Sequence, residues 1–99
     1  MTINPSRLSF AAEIAGRQLP SEKVIPILLT LAGHAEPVVR EGALYGLSFH
    51  LDDEVVRTTI SSIASSDTSE AVRSVADDLM DRIDNLKGAV RSQKTSRKS

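Results

Sequence analysis

The chain has 99 residues, no cysteine, no tryptophan and three aromatic residues, Phe10, Tyr45 and Phe49. That length holds one domain, and the missing thiols exclude disulfide scaffolds, cysteine zinc sites, iron–sulfur clusters and thiol catalysis. The formal net charge of −1 hides a split: residues 87–99 carry five bases and no acid, leaving 7 bases against 13 acids in residues 1–86.

Asn4-Pro5 reads as an N-cap followed by proline at the first helical position, opening a helix over 6–17 with Leu8, Phe10, Ala11, Ile14 and Ala15 apolar. Gln18-Leu19-Pro20 breaks it. Ser21 is placed to cap a second helix through about Ala32, closed by Gly33, with Pro26 removing one backbone bond inside it. Glu36-Pro37 opens a third helix to about Leu51. Asp52, Asp53 and Glu54 crowd the start of a fourth, where carboxylates suit the positive end of the helix dipole; it runs to about Ser65. Asp67-x-x-Glu70 has capping-box spacing and opens a fifth, expected to end near Leu86 with Gly88 beyond. No stretch sustains a period of two. The short connections predict antiparallel neighbours, and the fold class is all-α. Residues 1–86 form the expected domain. Residues 87–99, almost without apolar side chains, are expected to be a disordered basic tail. The longest apolar run, Val24 to Ala32, is too short to span a bilayer, and the N-terminus lacks a signal-peptide layout, so a cytoplasmic protein is expected.

The chain repeats itself. Shifted by 33 residues, Val39 falls on Val72, Arg40 on Arg73, Ala43 on Ala76 and Leu47 on Met80, and one helix earlier Ile27 falls on Ile60. Shifted once more, Arg7 lies under Arg40, Phe10 under Ala43 and Ile14 under Leu47, which makes the first helix a degenerate copy of the third. The run from Val24 through Pro26, His34, Val39-Arg40 and Ala43 to Leu47 resembles a HEAT repeat, and the run from Asp67 through Val72-Arg73 and Ala76 to Ile83 resembles the family's second half-unit. The resemblance implies a right-handed α-solenoid of about five helices, a half-repeat followed by two HEAT-like hairpins. It implies structural roles for Arg40, Arg73 and Asp67, with Asp67 reaching one of the two arginines. The first unit departs from the pattern, with His34 where the second has Asp67.

Helical periodicity assigns faces. Val39, Ala43, Leu47 and His50 face the companion helix, and Leu44 and Leu51 form a flank that meets the next hairpin. In the fifth helix that flank carries Asp77 and Asp84, and on the preceding helix Leu28 is exchanged for Ser61, near Ser62 and Ser65. Such a polar cap ends a solenoid, so the array is expected to stop there. The small residues Ser9, Ala12 and Gly16 form the outer flank of the first helix, either a plain end or a weak homodimer surface.

No histidine stands at helical spacing from another, no His-Glu pair occurs, and His50 reads as a hydrogen-bonded core residue. Asp52-Asp53-Glu54 lacks calcium-loop spacing, and Asp77, Asp78 and Asp81 read as a solvated face. No Gly-x-Ser-x-Gly turn, phosphate-cradling glycine loop or base partnered to a serine is visible. No enzyme activity, cofactor or metal is therefore expected. The expected function is a protein–protein interaction module using the face of the second helices, with Glu41, Tyr45, Phe49, Asp78 and Asp81 as its binding residues and a protein, a basic one fitting best, as its partner. Weak nucleic-acid binding through the basic tail, and an accessory role beside an enzyme, are the alternatives.

Overall fold

A computed structural model describes the backbone of residues 4–98 and the side chains of residues 4–86. It contains five helices, α1 (Pro5–Gln18), α2 (Ser21–Leu31), α3 (Pro37–Leu47), α4 (Glu54–Ser66) and α5 (Glu70–Lys98), and no strand among the described residues. The expected tail, 87–99, lies outside the residues whose side chains are described, and α5 is assigned past the stop expected near Leu86.

Local chemistry sets the boundaries. The Asn4 side chain accepts from the Ser6 N–H and Pro5 fills the first position of α1. The Asp53 carboxylate accepts from Val56 N–H at the start of α4. At the start of α5 the cap is Ser69, whose Oγ accepts from Val72 N–H. The expected capping role of Asp67 is corrected, because that carboxylate is engaged elsewhere. Ser21 does not cap α2 either; Pro20 holds the N-cap position and the Ser21 hydroxyl turns to His50. α3 stops at Leu47 rather than Leu51, since Ser48, Phe49 and His50 N–H groups reach back three residues in tight turns. Gly33 follows α2 without a positive φ, so no left-handed cap closes that helix.

α3 is the central element. It packs against α1, α2 and α5, while α4 pairs chiefly with α5. The core is aliphatic throughout: Val24, Leu28, Leu44, Leu47, Val56, Ile60 and Val72 are fully buried, with Leu51, Leu79 and Ile83 closing around them. Each such side chain contributes about 1.5–3 kcal/mol of transfer free energy. Leu44 on α3 and Leu51 in the turn before α4 are buried, and the matching positions of α5 expose Asp77 and Asp84.

Two parts of the repeat register change. Ile27 is 52 % exposed while Ile60 is fully buried, so the burial equivalent of Ile60 is Leu28, and that of Val56 is Val24. The buried positions of the first helices thus repeat at 32 residues and those of the second helices at 33. The residue exchanged for Ser61 is then Leu29, not Leu28. The second change is in α1. Phe10 is 66 % exposed although its register mate Ala43 is fully buried, and α1 buries Ala12 and Gly16 instead.

The reason lies in α3. Gly42 and Gly46, one turn apart, present a side-chain-free groove, and a Cβ on either would run into the backbone of α1 at Ser9 or Ala12. Only the small stripe Ser9, Ala12, Gly16 can enter that groove, so α1 rolls this stripe inward and Phe10 outward. The contacts advance in the same direction along both helices, Ser9 at Gly42 and Gly16 at Gly46, so α1 and α3 run parallel. The surface expected to be an outer flank or homodimer contact is consumed within the chain.

Candidate protein-binding face

The face begins with the same roll of α1. Turning Ser9, Ala12 and Gly16 inward brings Phe10, Glu13 and Arg17, a stripe at i, i+3 and i+7, to the outside next to α3. The facing stripe of α3 carries Glu41 and Tyr45 and continues to Phe49 in the turn that follows; Tyr45 is 44 % and Phe49 49 % exposed, and Glu41 is half-buried. The two stripes meet where the Arg17 guanidinium lies over the Phe49 ring, 5.6 Å from its centroid. Arg17 also donates to Glu13 Oε2 at 3.5 Å. On α5, Asp78 takes the register position of Tyr45, and both Asp78 and Asp81 are exposed. Arg82 is exposed at the register position of Phe49.

Every Phe and Tyr of the chain therefore lies outside the core, on α1, on α3 or in the turn after α3, in a protein whose hydrophobic core is aliphatic. Exposed rings beside desolvatable polar groups are the composition of interface hot spots. Sequence reasoning placed Tyr45 and Phe49 on this face but missed Phe10 and Arg17, because it gave α1 the register of α3. The signal was present as small residues at i, i+3 and i+7 in α1 facing Gly42-x-x-x-Gly46 in α3.

The charged framework behind the face is a set of arginine clasps. Arg40, Arg57 and Arg73 each donate through Nη1 to the carbonyl six residues earlier, at His34 (2.9 Å), Leu51 (3.0 Å) and Asp67 (2.6 Å). Each thereby closes the turn that precedes its own helix. Arg40 does more. Its Nε and Nη2 pair with Asp67 Oδ2 and Oδ1, both at 2.9 Å, with both side chains largely buried. Asp67 Oδ1 also accepts from Ser69 N–H at 2.9 Å. The Arg40 hydrogen bonds hold the Asp67 carboxyl below the usual carboxylate range against the opposing pull of burial, helped by Ser69 N–H and by the charges of Arg40 and Arg73. Arg40 in turn is raised, first by its bond to Asp67. In the first unit His34 Nδ1 accepts from Glu36 N–H at 3.0 Å, the same two-residue link that Asp67 makes to Ser69. His34 can copy that link but not the ion pair, and its would-be partner, Arg7 on α1, is exposed.

Ser21 and His50 also meet, which the sequence did not show. His50 Nε2 lies 2.8 Å from the Gly16 carbonyl and Nδ1 lies 2.9 Å from Ser21 Oγ. The carbonyl can only accept, so Nε2 carries the hydrogen and Nδ1 accepts from the Ser21 hydroxyl. The shallow pocket at Ser21 is lined by Glu22, Ile25, Pro26 and Asp53. Two carboxylates there oppose the anionic charge that a serine nucleophile develops. The arrangement instead ties the end of α1, the start of α2 and the turn after α3 to one imidazole.

Among the described residues no cluster of three metal-ligating side chains occurs, and no helix is long and apolar enough to cross a membrane. Comparison with protein-family models, curated proteins and solved structures finds no match. The likeness to HEAT repeats thus rests on this chain's own residues.

Proposed function

We propose that this chain is a non-catalytic protein-interaction module of HEAT-like, right-handed solenoid architecture, acting in the cytoplasm on a basic partner protein. One observation carries the reading: Phe10, Tyr45 and Phe49, every Phe and Tyr of the chain, are exposed on α1, on α3 and in the turn after α3, while the hydrophobic core is built without them. Glu41, Asp78 and Asp81 flank those rings and favour a cationic partner. The clasps of Arg40, Asp67 and Arg73 support the architecture by fixing successive turns to one another.

The test is affinity capture from the native host, followed by reconstitution with the purified partner. The triple variant Phe10→Ala, Tyr45→Ala, Phe49→Ala is expected to lose the partner while remaining folded by circular dichroism. Ser61→Arg, on the opposite edge, is expected to keep it. A triple variant that folds and binds as the wild type does overturns the assignment of the face.

A further inference from the structure

Arg17 shows what the face holds. Its guanidinium lies over the Phe49 ring, 5.6 Å from the centroid, and also pairs with the Glu13 carboxylate at 3.5 Å. Ring and carboxylate come from two neighbouring segments, the turn after α3 and α1, and together they form a seat for a planar cation, because the ring's negative face and the acid attract it together. The same residue types, though not the same arrangement, stand together one step along. Tyr45 is exposed, Glu41 stands one turn before it on α3, and Asp78 occupies Tyr45's register position on neighbouring α5. Among the described residues no ion pair takes up Glu41, Asp78 or Asp81.

We infer that the face is an arginine reader: it binds a basic partner segment by seating arginine guanidinium groups on Tyr45 and Phe49, between Glu41, Asp78 and Glu13, with Arg17 as the intramolecular occupant that an incoming arginine displaces. The inference rests on the interaction reading above and adds the chemistry of what is recognised. Acids outnumber bases on the face, Glu13, Glu41, Asp78 and Asp81 against Arg17 and Arg82, so a cationic segment is drawn to it. Arginine is selected over lysine because a planar, weakly hydrated guanidinium stacks on a ring and bonds a carboxylate with two N–H groups at once. A strongly hydrated ammonium does neither as well.

The experiment titrates the full chain with two unstructured peptides of equal length, one with four arginines and one with four lysines at the same positions, at low and moderate salt. Wild type is expected to bind the arginine peptide about threefold or more tightly than the lysine peptide, a preference of the size one or two exposed cation–π seats provide. In Tyr45→Ala, Phe49→Ala the preference is expected to vanish while weak, salt-sensitive binding of both peptides persists. In Arg17→Gln the arginine preference is expected to widen, because the Phe49 ring is uncovered. Circular dichroism of each variant checks that it is folded. Equal binding of the two peptides, or a preference untouched by loss of the rings, overturns the arginine reading and leaves the interaction face intact. Failure of both peptides to bind also overturns it. The broader reading falls separately, when the captured partner is indifferent to the ring variant.

Discussion

Arg40 and Asp67, 27 positions apart, meet side by side through two hydrogen bonds of 2.9 Å, and the same arginine holds the carbonyls of His34 and Ala35. One side chain therefore links the turn before α3 to the turn before α5. Replacing Asp67 with alanine leaves a largely buried guanidinium without its anion and is expected to cost about 2–3 kcal/mol in urea unfolding. The pH dependence has a definite sign. Asp67 has a lower pKa in the folded than in the unfolded chain, so its contribution is complete above the unfolded carboxylate value of about 3.9 and is lost as pH falls through the folded one. The gap in stability between wild type and Asp67→Asn should be constant at neutral pH and narrow on acidification below about pH 4. A gap that does not narrow refutes the assignment.

Glycine-to-alanine changes should have opposite outcomes at two positions. Inside a helix the change ordinarily gains about 1 kcal/mol. At Gly46 the new methyl stands 2.6 Å from the Ala12 carbonyl oxygen, so Gly46→Ala must push α1 away and is expected to destabilise by about 1–3 kcal/mol. At Gly33 the nearest atom is the Thr30 oxygen at 3.6 Å and φ is not positive, so Gly33→Ala should be neutral or stabilising by up to about 1 kcal/mol. Thermal melts of the two variants decide it.

His50 should matter through both ring nitrogens. His50→Leu keeps the volume but strands the Gly16 carbonyl and the Ser21 hydroxyl, and is expected to cost about 1–3 kcal/mol. Ser21→Ala removes one exposed partner and should cost less, about 0.5–1 kcal/mol. Urea titrations that place the two in the reverse order would show that the imidazole is not the joint between α1 and α2.

Asp77 and Asp84 hold the flank that leucines occupy in α3. The double variant Asp77→Leu, Asp84→Leu lays a new apolar strip beside the exposed edge of the groove lined by Ser61, Ser62, Met80 and Ile83. It is expected to fold and to self-associate with a mass that rises with concentration in sedimentation experiments. A variant that stays as dispersed as the wild type would show that these aspartates do not limit growth.

Much of the fold was legible because its signals are local. Asn4-Pro5, Pro37 and Asp53 mark helix starts that depend on a few adjacent atoms, and the 33-residue echo of Val39, Arg40 and Ala43 at Val72, Arg73 and Ala76 fixes the faces of α3 and α5. The orientation of α1 was not legible by the same route. Its apolar stripe through Phe10 and Ile14 is a fair amphipathic pattern, but the glycine groove of α3 admits only small residues, and backbone approach outweighed side-chain hydrophobicity. Ser69 displaced Asp67 as the cap of α5 for a comparable reason, since a distant arginine claimed the carboxylate. Of the candidate face, Tyr45 and Phe49 followed from α3 alone, whereas Phe10 and Arg17 required knowing how α1 is turned.

A core without phenylalanine, tyrosine or tryptophan has an optical consequence. With no tryptophan and a single tyrosine, the emission and most of the near-ultraviolet ellipticity of this protein originate at Tyr45, on the surface of α3. Unfolding frees that ring and docking against α3 covers it, so the two events move the same signal in distinguishable ways. The chain thus carries a reporter inside the proposed face.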